Sequence, residues 1–274
     1  MWIILYLPFI LCTILYAVTA LYGHRLKRLN YYFKIFLFYF LIFLSSIVVI
    51  PPFLLRPRDV KNGTIYARVM KHMNKLLGIE WHIRNGEYLS GDYGAVILNN
   101  HQCIFDALGM FNAWEIAGKM CVIMKKELFY AGTFGIAAYL GGGIYIDRKN
   151  AKNAHKTIQD TNEALTKNKT KIWIYPEGTR NKNPNRKLLP FKKGAFHMAI
   201  QSQAPIIPVV FSPYYFMDSK TFTFDKGHII IQCLEPIPTA GLTTDDIGKL
   251  SDRIHESMSS TYEKLWDEIM TKNK

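Results

Sequence analysis

The rhythm of hydrophobic and polar positions changes near residue 60. Upstream, no charged residue occurs from 1 to 23 and none from 35 to 55. A helix rises about 1.5 Å per residue and needs about 20 apolar residues to cross a hydrocarbon core, so each run is long enough for a span. The pattern predicts an N-terminal pair of membrane helices within an anchor segment, 1–59. The first run has neither the basic start nor the small-residue cleavage site of a cleaved leader. Basic residues in HRLKRLN (24–30) and RPRDVK (56–61) flank both ends of the second run, so a count of positive charges does not set the orientation. A paired helix dipping from one face and a full hairpin both stay open. Lys34 is expected to extend its stem toward the interface, and Pro51 and Pro52 to kink or end the second helix.

Beyond residue 60 the apolar runs are short. Strands are predicted at 95–98, 121–124, 144–146, 172–175, 206–211 and 228–234, each poor in charge, as strands covered on both faces are. Helices are predicted at 105–117, 128–140, 151–166, 193–203 and 244–271. This alternation predicts an α/β fold with a mixed, largely parallel sheet covered by helices, in one domain spanning 60–274. No internal repeat or low-complexity linker interrupts it. The stretch ELFYAGTFGIAAYLGGGIY (127–145) carries no charge after Glu127 and is too short in its helical part to span a bilayer. It reads either as a wall of a greasy cleft or membrane face, or as a buried core helix.

Charge narrows the choice of partners. The net charge of +13 points to an anionic one. The basic residues are dispersed and no nucleic-acid motif is present, so nucleic acid is set aside for anionic lipid or phosphorylated substrates. Cys12, Cys103, Cys121 and Cys233 have no paired spacing, so neither a disulfide framework nor a zinc set is expected, and a reducing, cytosol-facing domain is the default. The N-x-T triplets at Asn62 and Asn168 would be glycan acceptors only in a lumenal domain.

Candidate chemistry lies in VILNNHQCIFDALGM (96–110). Residues five apart on one helix point about 140° from each other. His101 and Asp106 therefore meet only if the histidine lies in the turn leaving the strand and the acid in the first turn of the following helix. Asn99 and Asn100 suit that turn. The carboxylate would then fix one imidazole nitrogen and leave the other as a base toward a substrate hydroxyl. The bland alternatives are a polar turn residue and a helix-capping acid. Cys103, between them, is weighed as a nucleophile and read as a small turn or core residue.

A second constellation, IWIYPEGTRN (172–181), joins a buried strand to a turn with glycine for close approach, a threonine hydroxyl and an arginine fork. Gly178, Thr179 and Arg180 look like an anion cradle, with Glu177 orienting Arg180 or receiving a substrate hydroxyl. A solvated surface turn is the alternative. GGIYIDR (142–148) brings Asp147 and Arg148 to a strand end, and LPFKKGAFHMA (189–199) puts Lys192 and Lys193 before a helix, where anions are favoured. Asp147 with Arg148 reads equally as a structural pair, and the two lysines as a solvated face. His197 is read as a satisfied core residue.

With NHQCIFD, GGIYIDR, YPEGTR and APIIPVV (204–210) in this order, residues 90–240 resemble the glycerolipid acyltransferases, most closely the animal-type lysophosphatidic acid acyltransferases of the endoplasmic reticulum. The resemblance implies His101 as general base with Asp106 as its partner. It implies Glu177, Gly178, Thr179 and Arg180 as the acceptor-phosphate motif and Arg148 as a further contact; Lys192 and Lys193 stay, on the residue reading alone, as candidate contacts to phosphate or coenzyme A. The block with Pro205 and Pro208 is implied to be structural or acyl-lining. Tyr175 stands where phenylalanine is common. The implied reaction moves an acyl group from acyl-coenzyme A to the sn-2 hydroxyl of lysophosphatidic acid, at a membrane, with no metal or other cofactor and with backbone amides as oxyanion donors. Rivals are glycerol 3-phosphate or another lysophospholipid as acceptor, a non-catalytic lipid-binding protein, and a thioesterase acting through Cys103.

Overall fold

The second apolar run folds as one helix, α1 (Lys27–Leu54), which continues through Pro51 and Pro52 for a last turn before the chain leaves it. The structure is a computed structural model in which residues 13–14, 16, 27–147, 161–181 and 187–272 are described. Nearly all of the first apolar run, most of the predicted 151–166 helix and Arg148 lie outside these residues. Among the described residues α1 is the one helix long and apolar enough to cross a membrane. The expected pair is therefore reduced to one observed member.

One stripe of α1, Phe33, Lys34, Phe38, Ser46, Val49 and Phe53, is buried against the rest of the chain, at the spacing of one helix face. The opposite face leaves Phe36, Tyr39, Phe43, Ile47 and Val48 exposed. Lys34 corrects the expectation of a stem reaching outward: it turns inward, donating to the Leu77 carbonyl at 2.8 Å and the Asp225 carbonyl at 3.4 Å. Leu77 ends the short helix α3 (Met73–Leu77), whose last carbonyls lack helical partners, and that need draws the ammonium in. Ahead of it, α2 (Val60–Lys71) starts at Asp59, whose side chain accepts from the Lys61 N–H. Asn62 in α2 is fully buried and donates to the Arg56 and Leu140 carbonyls, so the first N-x-T triplet offers no acceptor in the folded chain.

The sheet strands are β1 (Ile79–Arg84), β2 (Val96–Asn99), β3 (Met120–Lys125), β4 (Ile144–Ile146), β5 (Lys171–Ile174), β6 (Ile206–Phe211) and, after a small hairpin of β7 (Met217–Asp218) and β8 (Thr223–Phe224), β9 (Gly227–Cys233). Seven of them form one sheet in the order β1-β9-β6-β2-β5-β3-β4. β6, β2, β5, β3 and β4 are mutually parallel, and β9 joins antiparallel to β6 with β1 parallel beside it. The sheet is therefore mixed and mostly parallel, as expected.

Successive residues of β2 face opposite layers. Ile97 packs with Trp173, Phe211 and the buried faces of α1, α2 and α4 (Asp106–Ala117). Val96 and Leu98 pack with α6 (Gly194–Gln201) and α7 (Ile247–Lys272). Burial on both faces explains the uncharged strand runs. The predicted 128–140 helix is divided into a 3-10 turn, Lys126–Tyr130, and α5 (Gly132–Leu140), because Gly132 takes φ +62° at the junction. α5 buries Gly135, Ala137 and Leu140, while Ile136 and Tyr139 stay exposed. The five parallel strands bring their carboxyl ends to one edge of the sheet, where ligands of such sheets are bound.

Candidate active site

His101 and Asp106 come together as the turn required. β2 ends at Asn99, and Asp106 is the first residue of α4. Asn100 extends the strand pairing through its side chain, accepting from the Phe211 N–H at 2.8 Å and donating to the Phe211 carbonyl at 3.1 Å. That fixes where the turn begins. His101 Nδ1 lies 2.7 Å from Asp106 Oδ2. The same oxygen accepts the Gln102 and Cys103 backbone N–H groups at 2.6 and 3.0 Å, so it is the acceptor and Nδ1 the donor; in the neutral imidazole Nε2 is then the nitrogen without a proton. The Asp106 side chain is fully buried and the imidazole 19% exposed. Tyr175 stacks on the ring, with centroids 4.1 Å apart and planes 21° apart.

The turn after β5 is bonded directly to this one. Glu177, 2% exposed, accepts the His101 N–H at Oε1 (2.7 Å) and the Leu189 N–H at Oε2 (2.9 Å), and the Asn181 N–H donates to the His101 carbonyl at 2.7 Å. Burial raises the Glu177 carboxyl above its ordinary range, with the two N–H bonds pulling the other way. Both Glu177 oxygens therefore serve backbone. Gly178 has φ +70°, and a Cβ there would lie 2.8 Å from Lys192 Cδ and Cε and 3.1 Å from Nζ. Glycine is needed for the backbone angle and for the lysine laid across it. Thr179, Arg180, Lys192 and Lys193 are exposed around this turn.

The neighbouring strand ends add groups that sequence reading missed. Lys126, just past β3, pairs with Asp147 past β4 at 3.2 Å. From the end of β6, Tyr214 donates its hydroxyl to Asp106 Oδ1 at 2.9 Å. Gln102 donates to the Ser212 carbonyl at 3.0 Å and accepts from Tyr262 of α7 at 3.2 Å. No local spacing marks these contacts, since each joins segments far apart in the chain. Arg148 lies outside the described residues. His197 is exposed on α6, which corrects its reading as a core residue: the helix turns Ala195, Phe196, Ala199 and Ile200 inward instead.

Cys103 does not present an activated thiolate. Burial and the Asp106 carboxylate push its thiol well above the ordinary value, the opposite of the electropositive setting such a nucleophile needs. Among the described residues no group of three or more His, Cys, Asp or Glu side chains is arranged to hold a metal ion.

The family model described as "Acyltransferase" matches residues 80–212, from β1 to just past β6. The chain is 36% identical over 237 residues to human 1-acyl-sn-glycerol-3-phosphate acyltransferase alpha, covering 86% of this chain and 82% of that protein. It is 38% identical over 240 residues to the human beta form, covering 86% and 84%. The crystal structure of the 1-acyl-sn-glycerophosphate acyltransferase PlsC from Thermotoga maritima superposes with a TM-score of 0.64 at 21% identity, over 88% of this chain and 96% of that one, and shares its fold. The chain belongs to the 1-acyl-sn-glycerol-3-phosphate acyltransferase family.

Proposed function

We propose that this chain transfers a fatty acyl group from acyl-coenzyme A to the sn-2 hydroxyl of lysophosphatidic acid, giving phosphatidic acid and coenzyme A. The observation that carries this reading is the 2.7 Å bond between His101 Nδ1 and Asp106 Oδ2 in a turn bonded to the Glu-Gly-Thr-Arg turn. Nε2 takes the hydroxyl proton as the oxygen attacks the thioester carbonyl, and the C–O bond forms. Collapse of the tetrahedral intermediate breaks the C–S bond, and the imidazolium returns the proton to the leaving thiolate. Positioned proton transfer of this kind contributes about 100-fold to 10,000-fold. The thioester is already activated, so acyl-coenzyme A serves as co-substrate with no further cofactor.

Gly178, Thr179 and Arg180, with Lys192 and Lys193 beside them and Arg148 after β4, are the groups proposed to receive the acceptor phosphate or coenzyme A. The bonds of Glu177 to His101 and Leu189 support a different part for it: it staples the two turns and leaves substrate phosphate to the cations. Residues 1–59 are proposed as the membrane anchor, formed by the first apolar run with α1, and 60–274 as the catalytic domain. An endoplasmic reticulum membrane with this domain on the cytosolic side fits the absence of paired cysteine spacing.

The test is a panel of lysophospholipid acceptors and glycerol 3-phosphate offered to the purified chain with labelled acyl-coenzyme A and read by product mass. Labelled phosphatidic acid as the dominant product is expected. Preferential acylation of another acceptor would replace the substrate assignment, and label appearing only as free fatty acid would favour a thioesterase. Arg180→Ala should raise the acceptor KM about 10-fold or more with a smaller change in kcat, the pattern of lost ground-state binding.

A further inference from the structure

The Asp106 carboxylate takes a donor from beyond its own turn. Strand β6 ends at Phe211, and the chain turns through Ser212 and Pro213 to bring Tyr214 back under α4. The Tyr214 ring is 9% exposed, with Trp81 at 6.3 Å and Phe216 at 5.9 Å between ring centroids. Its hydroxyl donates to Asp106 Oδ1 at 2.9 Å, while Oδ2 serves His101, Gln102 and Cys103. The other group near Oδ1 is the Cys103 thiol at 3.9 Å, a weak donor. Tyr214 therefore supplies the one strong bond to Oδ1, adds to the hold that the Oδ2 bonds already have on the carboxylate, and draws charge toward the oxygen remote from the imidazole. We infer that Tyr214 is a positioning residue that aligns Asp106 for His101 and limits how tightly the carboxylate holds the imidazolium proton, so that the base is free at lower pH.

This inference rests on the reading of His101 as the base. The groups around the pair are Cys103 on its own turn, Tyr175 and Glu177 after β5, with Arg180 acting on Tyr175, Tyr262 from α7, and Tyr31 of α1 beyond Cys103. Tyr214 stays protonated at assay pH because burial and the adjacent Asp106 hold its phenol well above the usual value, and Tyr175 and Tyr262 are raised by burial in the same way. The tyrosines therefore do not themselves titrate as the pH is varied across neutrality. Glu177 is stapled to backbone at both oxygens.

The experiment measures kcat and kcat/KM from pH 5.5 to 9 on the purified full chain in detergent micelles, with lysophosphatidic acid and acyl-coenzyme A. In Tyr214→Phe the carboxylate keeps its imidazole bond but loses its outer donor, and it holds the imidazolium proton more tightly. The acidic limb should move to higher pH, with a loss of roughly 10-fold at neutral pH, the scale of one hydrogen bond to a charged group, and recovery toward wild type at pH 9. An equal loss at every pH with the limb unmoved, or no change at all, would overturn the inference. Replacement of Tyr214 by 3-fluorotyrosine, a stronger donor of nearly the same size, should move the limb the other way. If Tyr214→Phe does not fold, that protein decides alone, and an unmoved limb overturns the proposal. His101→Ala is run alongside: retained turnover there defeats the base reading itself, whatever Tyr214 does.

Discussion

Glu177 shows how one buried carboxylate joins two turns through backbone bonds. Its oxygens hold the His101 and Leu189 N–H groups. In Glu177→Gln an amide NH2 must face one of those donors. Leaving one charge-assisted bond unmade costs about 1.5–3 kcal/mol, so the variant should melt at lower temperature and lose 10-fold or more in kcat. Thermal unfolding and acyl-transfer rates check this together. Because burial raises the Glu177 carboxyl, its contribution to stability is fully present below the ordinary carboxylate range and declines as pH rises through the raised folded value. Cys103 gives a second check: with its thiol pushed up by burial and Asp106, alkylation should be slow at pH 7 to 8, and Cys103→Ser should keep turnover within a few-fold, where a nucleophile's loss would abolish it. The His101–Asp106 geometry was legible because a five-residue separation admits few ways for the two to meet. Tyr214 was not, because its partner is 108 positions away and its own segment reads as an ordinary loop.

At the scale of elements, α1 shares a hydrophobic core with the helix that begins at Asp106. Phe38 lies 4.8 Å from Phe105, the residue just before Asp106, and Phe105 lies 5.0 Å from Phe224, while Lys34 stands 4.4 Å over the Phe224 ring. Phe38→Ala should cost about 3–5 kcal/mol, the range for truncating a buried phenylalanine, measured by denaturant unfolding in detergent. Removing residues 1–59 should yield aggregated, inactive protein, since it bares Phe105, Phe224, Tyr66 and Met70. A soluble, fully active 60–274 fragment would contradict this docking. The length of α1 was legible in its composition, but its attachment was not: the buried stripe carries Lys34 and Ser46 while the exposed one is wholly hydrophobic, so apolarity alone turns the wrong face toward the protein. β1 escaped notice because it lies at the sheet edge, where Ile79, Glu80, Trp81 and His82 alternate instead of forming the uniform run of a central strand. The break at Gly132 was hidden inside an unbroken apolar stretch.

The whole molecule sets its apolar exposure and its chemistry in one frame. The outer face of α1 is joined in exposing large apolar side chains by Leu128, Phe129 and Tyr130 of the 3-10 turn and by Ile136 and Tyr139 of α5, which packs against α1. Together with a net charge of +13, this suits an anionic bilayer surface. Tyr130 is 75% exposed, so Tyr130→Asp should leave the melting temperature within a few degrees and weaken co-flotation with anionic vesicles several-fold. Unchanged flotation would show that this face does not meet lipid. The proposed chemistry turns on Nε2 of His101, in the turn after β2. Its most direct test is phosphatidic acid formation by His101→Ala at saturating acyl-coenzyme A and lysophosphatidic acid. The expected result is a fall in kcat of at least about 100-fold in a protein that melts like wild type; turnover within a few-fold of wild type would contradict it.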